Sequence, residues 1–115
     1  MTEKQWVRIA RALSDPTRLR LFRTIATQGE LSCGELAEQF PVAQSTVSHH
    51  LHVLMNAGLV QMRKQGQHHF FRVCVQPLQE FCQQLSQLLA SVQTPECESS
   101  LDETLEQTIY KEGSL

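Results

Sequence analysis

Residues 42–59, VAQSTVSHHLHVLMNAGL, run from a polar turn into a helix whose two sides differ in kind, and this segment says most about what the chain can be. At about 100° per residue, Val47, Leu51, Leu54 and Met55 fall on one side and Ser45, His49 and His52 fall opposite. One side packs, and the other offers hydrogen bonds. Thr46 and Ser48 flank the polar side near the helix start, and with Gln44 they can meet base edges or phosphates without bulk. His50 falls on the boundary, where its angle suits a structural histidine and a surface one equally. Asn56-Ala57-Gly58 supplies a stop, since Gly58 can take the left-handed conformation that closes a helix. An ordinary amphipathic helix would show the same pattern, so the flanking sequence has to decide.

After the stop come LVQMRK, the turn Gln65-Gly66-Gln67 and HHFFRVC, two strand-like runs around a glycine. They predict a β-hairpin carrying Arg63, Lys64, His68 and Arg72, with Phe71 and Val73 toward the core and His68, Phe70 and Arg72 on the other face. A polar-faced helix followed at once by a basic hairpin is the plan of a winged helix-turn-helix, in which the hairpin tip reaches the DNA backbone or minor groove. The fold class that follows is mainly α with a small β-hairpin, with about five core helices plus the wing.

The remaining segments fit that plan. A first helix spans about residues 3–13, with Trp6, Ile9, Ala10 and Leu13 on one stripe. Asp15-Pro16-Thr17 restarts the chain, with Asp15 as N-cap and Pro16 in the first helical position. The second helix runs to about Gln28. Its core face is read as Leu19, Phe22 and Ile25, with Arg18, Arg20 and Arg23 solvated or facing phosphate. Ser32 and Glu35 have capping-box spacing for a third helix over about 33–40, and Pro41 begins the turn into the polar-faced helix. From Pro77, a stripe of Leu78, Phe81, Cys82, Leu85, Leu88, Leu89 and Val92 recurs at three- and four-residue steps. This stripe predicts a two-fold homodimer, with Trp6 and Ile9 of the first helix beside Leu78, Phe81, Leu85, Leu88 and Leu89. Residues 1–92 form the predicted domain. Residues 93–115 are an acidic tail, either disordered or carrying a short helix capped by Ser100 and Glu103 with Leu101, Leu105 and Ile109 on one side.

The formal net charge of −2 argues against a nucleic-acid partner only until the charges are mapped. Residues 1–75 carry nine Lys and Arg against five Asp and Glu, net +4, together with all five histidines; residues 76–115 are net −6. A basic body with an acidic tail suits a protein that holds double-stranded DNA on one side. No run of about 18 apolar residues occurs, and MTEKQWVRIA is not a secretory leader, so a cytoplasmic protein with no membrane partner is expected. An enzyme is not, since the chain has no Gly-rich phosphate loop, nucleophile elbow or H-E-x-x-H. The alternative to a DNA-binding repressor is a winged-helix protein-interaction module without an inducer site.

Taken in order, ALSDPTRLRLF, GELSCGELAEQF, QSTVSHHLHVLMNAGLV and RKQGQHHFFRV resemble the ArsR/SmtB family of dimeric winged-helix repressors over about residues 4–92. The resemblance implies a homodimer on an imperfect palindrome in a promoter, released by an effector. It implies Gln44, Ser45, Thr46, Ser48 and His49 as the main DNA contacts, with His52 on the same face and Arg63, Lys64 and Gln67 on the wing. The sensor departs from the familiar branches. Where arsenic and cadmium sensors carry C-x-C, this chain has Ser32 and Gly34 with Cys33 between them, read as a small buried residue. The zinc-sensing branch needs histidines late in the chain, and none follows His69. No cofactor is certain and a metal site is unknown. A thiol site for arsenite or an oxidant is expected from Cys82 and Cys97, with Cys74 or a partner's cysteine, although the carboxylates of Glu96 and Glu98 disfavour a Cys97 thiolate.

Overall fold

The computed structural model describes residues 1–93, so the readings placed on Cys97, Ser100, Glu103 and the rest of the acidic tail lie outside the described residues. The element order is α1 (Glu3–Ala12), α2 (Pro16–Gln28), β1 (Leu31–Ser32), α3 (Cys33–Glu38), α4 (Gln44–Asn56), β2 (Val60–Gln65), β3 (His68–Val73) and α5 (Val75–Ala90). Five helices surround a three-stranded antiparallel sheet of order β1-β3-β2, a winged helix-turn-helix. None of the described helices is long and apolar enough to cross a membrane.

Local chemistry sets the boundaries. Thr2 and Gln5 close a capping box at the start of α1, a signal the sequence reading passed over. Asp15 caps α2 by accepting from the Arg18 N–H at 3.0 Å, and Ser32 caps α3 by accepting from the Glu35 N–H at 3.1 Å. At the end of α4, Gly58 adopts φ 77°. Its N–H reaches Met55 O at 2.9 Å and the Leu59 N–H reaches Leu54 O at 3.0 Å, the paired bonds of a Schellman stop. Gly66 takes φ 62° in a two-residue hairpin loop with Gln67, and the positive φ at the first loop position alone fits a type II′ turn.

The core gathers around α4. Val47, Leu51 and Leu54 are buried against Ile9 and Ala12 of α1, Leu21, Phe22 and Ile25 of α2, Leu36 of α3, and Leu59, Val60 and Phe71 of the hairpin. Three expectations are corrected here. Leu19 is 39% exposed and Leu21 takes its place in the core, because a three-residue step drifts off the 3.6-residue period. On α1, Ala12 is buried and Ala10 is not, because the face packed on the core is turned to the Ile9–Ala12 side of the expected stripe. Ile9, expected at a dimer interface, is 1% exposed within its own chain and so is already committed to the protomer's core. Between α2 and α3, β1 is a short strand whose Leu31 and Ser32 pair with Phe71 and Phe70.

The Asp15 cap makes a pH-dependent contribution. Its carboxyl is held below its ordinary value of 3.8 chiefly by the hydrogen bond from the Arg18 N–H; desolvation opposes this, and the charges of His50 and Arg18 each add a smaller lowering. A depressed carboxylate stabilises the fold fully above its ordinary value and loses that contribution as pH falls through the folded value. Asp15→Ala is therefore expected to cost about 1 kcal/mol at neutral pH. In urea titrations the gap to wild type should narrow below about pH 4, and a gap that widens on acidification would contradict the assignment.

Candidate nucleic-acid interface

The angular division of α4 becomes a physical one in the fold. Val47, Leu51 and Leu54 are buried, Met55 packs against the core edge, and Gln44, Ser45, Thr46, His49 and His52 are exposed, with Ser48 half-buried. The core thus clamps one side of a helix whose opposite side is a continuous polar surface. The N-cap of α4 is Ala43, which supplies no side-chain oxygen, so the first N–H groups of this helix have no cap from Ala43. That end of α4 offers backbone donors and a partial positive charge where a phosphate would be stabilised.

His50 resolves toward structure. Its Nδ1 lies 3.4 Å from Arg18 Nη1, and Arg18 also donates from Nε to Ala12 O at 2.8 Å and from Nη2 to Arg11 O at 3.2 Å. Arg18 is therefore not the solvated charge the sequence suggested. It ties the C-terminal carbonyls of α1 to the middle of α4, a link between residues 32 positions apart that no local pattern reveals.

The hairpin stands beside α4 and leaves a cleft of about 650 Å³ between them, floored by Leu51, Met55 and Phe71 and rimmed by Ser45, His52 and His69. Lys64, Gln67, His68 and His69 are exposed at its tip. Lys64 makes no ion pair among the described residues. Arg63, expected among the wing's DNA contacts, pairs through its guanidinium with Glu30 in the connection between α2 and β1. That hydrogen bond is also the main cause of a lowered Glu30 carboxyl, while Arg63 is pushed up by the same partner.

The cysteines occupy unlike surroundings. Cys33 and Cys74 are half-buried, and burial pushes both thiols up; a hydrogen bond involving Gln44 partly offsets the rise at Cys33, and the Arg72 charge does so at Cys74. Both are poor thiolates at neutral pH. Cys82 is exposed on α5. Cys82 lies eight positions after Cys74, the N-cap of α5, about 12 Å along the helix, so the two thiols of one chain cannot converge on one ion. The described residues hold no cluster of three or more His, Cys, Asp or Glu side chains able to bind a metal.

On α5, Leu78 and Phe81 are half-buried, and the Phe81 ring stands 5.2 Å from that of Trp6. Further along, Leu85, Leu88, Leu89 and Val92 are 40%, 56%, 73% and 57% exposed, a single apolar ridge left outside the core.

A family model described as a helix-turn-helix domain matches residues 13–63. The chain is 32% identical over 99 residues to an arsenical resistance operon repressor of Staphylococcus aureus, covering 86% of this chain and 94% of that one. Among solved structures, an ArsR-like transcriptional regulator from Rhodococcus sp. RHA1 superposes with a TM-score of 0.70 at 24% identity over 91% of this chain and 90% of that one. A possible ArsR-family regulator from Mycobacterium bovis, described as a homodimeric winged helix-turn-helix DNA-binding domain, gives a TM-score of 0.62 at 25% identity over 83% of this chain and 89% of that one.

Proposed function

The chain belongs to the ArsR family of winged helix-turn-helix DNA-binding transcriptional regulators, and from that premise we propose that it represses transcription as a homodimer on a palindromic promoter operator in the cytoplasm. The observation that carries this reading is α4, locked by Val47, Leu51 and Leu54 while Ser45, His49 and His52 face outward. In this reading α4 enters the major groove, with Gln44, Ser45, Thr46, Ser48, His49 and His52 sharing base edges and flanking phosphates. The sugar–phosphate strand passes along the cleft beside the wing, where Lys64 and Gln67 meet it. A second copy reads the other half-site with its own α4, one helical turn of DNA away, and the exposure of Leu85, Leu88 and Leu89 supports a two-fold contact between the copies.

Alanine at Ser45 or His49 should cost about 1–3 kcal/mol of discrimination between operator and scrambled DNA, read by competitive fluorescence anisotropy. An equal loss on both DNAs would remove those residues from base readout.

For release, the reading retains arsenite or another thiol-reactive effector at Cys82 and Cys97 with a partner's cysteine, the helical rise between Cys74 and Cys82 excluding Cys74 of the same chain. The exposure of Cys82 on the helix that carries the Leu85, Leu88 and Leu89 ridge supports it. Serine at Cys82 and Cys97 should abolish release by such effectors, and an unchanged response would make these cysteines structural.

A further inference from the structure

The outer face of the three-stranded sheet carries a contact that DNA binding alone does not explain. Strand alternation places Phe70 and Arg72 of β3 on this face with Gln61, Arg63 and Gln65 of β2, opposite the side on which Leu31 and Phe71 enter the core. Arg63 lies across it. Its Nε donates to both carboxylate oxygens of Glu30 at 3.1 and 3.2 Å, its Nη2 pairs with the same carboxylate, and its Nη1 donates to Gln65 Oε1 at 2.9 Å. The guanidinium carbon stands 5.1 Å from the centroid of the Phe70 ring beneath it. All three guanidinium nitrogens are therefore engaged inside the chain, in the planar, forked geometry that suits arginine and not lysine.

The position of this contact gives it a mechanical consequence. β1 pairs with the hairpin through only Leu31 and Ser32, so few backbone bonds fix the hairpin's tilt against the helices. Beyond Arg63 the hairpin continues for just two more cross-strand pairs, Lys64 with His69 and Gln65 with His68, before the turn at Gly66. Arg63 thus sits at the base of the free tip, and Glu30 belongs to the connection that leads from α2 into β1 and α3.

We propose that Arg63 is a positioning residue: with Glu30 and Phe70 it forms a strap that sets the angle of the wing, so that Lys64 and Gln67 meet the DNA backbone while Arg63 itself binds no phosphate. The proposal rests on the DNA-binding reading above and separates from it by the direction of one substitution. If Arg63 were a phosphate ligand, Glu30 would compete with DNA for it, and Glu30→Gln would tighten binding. As a strap partner, Glu30 is needed, and Glu30→Gln weakens binding although it removes a negative charge from the DNA-facing body.

The test uses the full chain with Glu30→Gln, Arg63→Ala and the charge-reversed pair Glu30→Arg with Arg63→Glu. Without DNA, amide hydrogen exchange across residues 61–72 should quicken about threefold or more in both single variants, with exchange in α4 unchanged, and return toward wild type in the reversed pair. Unaltered exchange in the wing of both single variants overturns the strap. With operator DNA, Glu30→Gln should bind about threefold or more weakly, and Arg63→Ala should keep the wild-type slope of log affinity against log salt. Tighter binding by Glu30→Gln, or a slope reduced by about 1 for each Arg63 removed, makes Arg63 a phosphate ligand and overturns the proposal. A wild-type chain that binds no DNA would fail the functional reading alone, leaving the exchange experiment to decide the strap.

Discussion

Leu54→Ala is expected to destabilise the fold by about 2–5 kcal/mol, enough to threaten a domain whose whole stability is of order 5–15 kcal/mol. Leu54 is 0% exposed and lies where α4 meets the rest of the core. Its carbonyl also accepts the Leu59 N–H in the stop that turns the chain from α4 into the wing. Truncation leaves a cavity under the recognition surface and loosens both elements that are to contact DNA. A urea titration should show a lower midpoint at an unchanged slope, measured at fixed protein concentration because a dimer's stability depends on it. A shift worth less than about 1 kcal/mol would mean that α4 is not the keystone of the core.

The second large effect is expected at the ridge of α5. Leu85, Leu88 and Leu89 are exposed in the single chain, and aspartate at both Leu85 and Leu89 would place two charges where a partner's apolar ridge should pack. The double variant should sediment as a monomer with α-helical content retained, since neither side chain belongs to the protomer's buried core. Operator affinity should fall by about 10²–10⁴, because each half-site is then bound independently and the second contact no longer benefits from a tethered first. A variant that remains dimeric, or a monomer that binds the operator as tightly as wild type, would contradict the placement of the interface.

The parts of this molecule that were legible in the sequence are those governed by contacts a few residues apart. Asp15-Pro16 and Ser32 announce helix starts, Gly58 announces the end of α4, and Gly66 marks the hairpin turn, each through a backbone requirement confined to its own neighbourhood. The division of α4 was legible because 3.6-residue periodicity sorts Val47, Leu51 and Leu54 from Ser45, His49 and His52 without knowledge of the partners. The reading failed at Leu19, where steps of three residues from Ile25 and Phe22 drift off that period, and Leu21 takes its place in the core. What stayed hidden depends on residues far apart in the chain. Arg18 reaches His50 across 32 positions, Arg63 reaches Glu30 across 33, and β1 pairs with β3 across about 40. Arginine carries the same sequence signal whether it faces water, a phosphate or a carboxylate, so its assignment waits for the fold.

The most direct test of the central claim is a fluorescence-anisotropy titration of the chain on its own upstream DNA against a scrambled duplex, repeated across salt concentrations. Binding to one palindromic site should exceed that to the scrambled duplex by about 10³ or more, as a dimer, with log affinity falling linearly as log salt rises. Equal affinity for the two duplexes at every salt concentration would mean that the polar face of α4 reads no sequence, and would contradict the account.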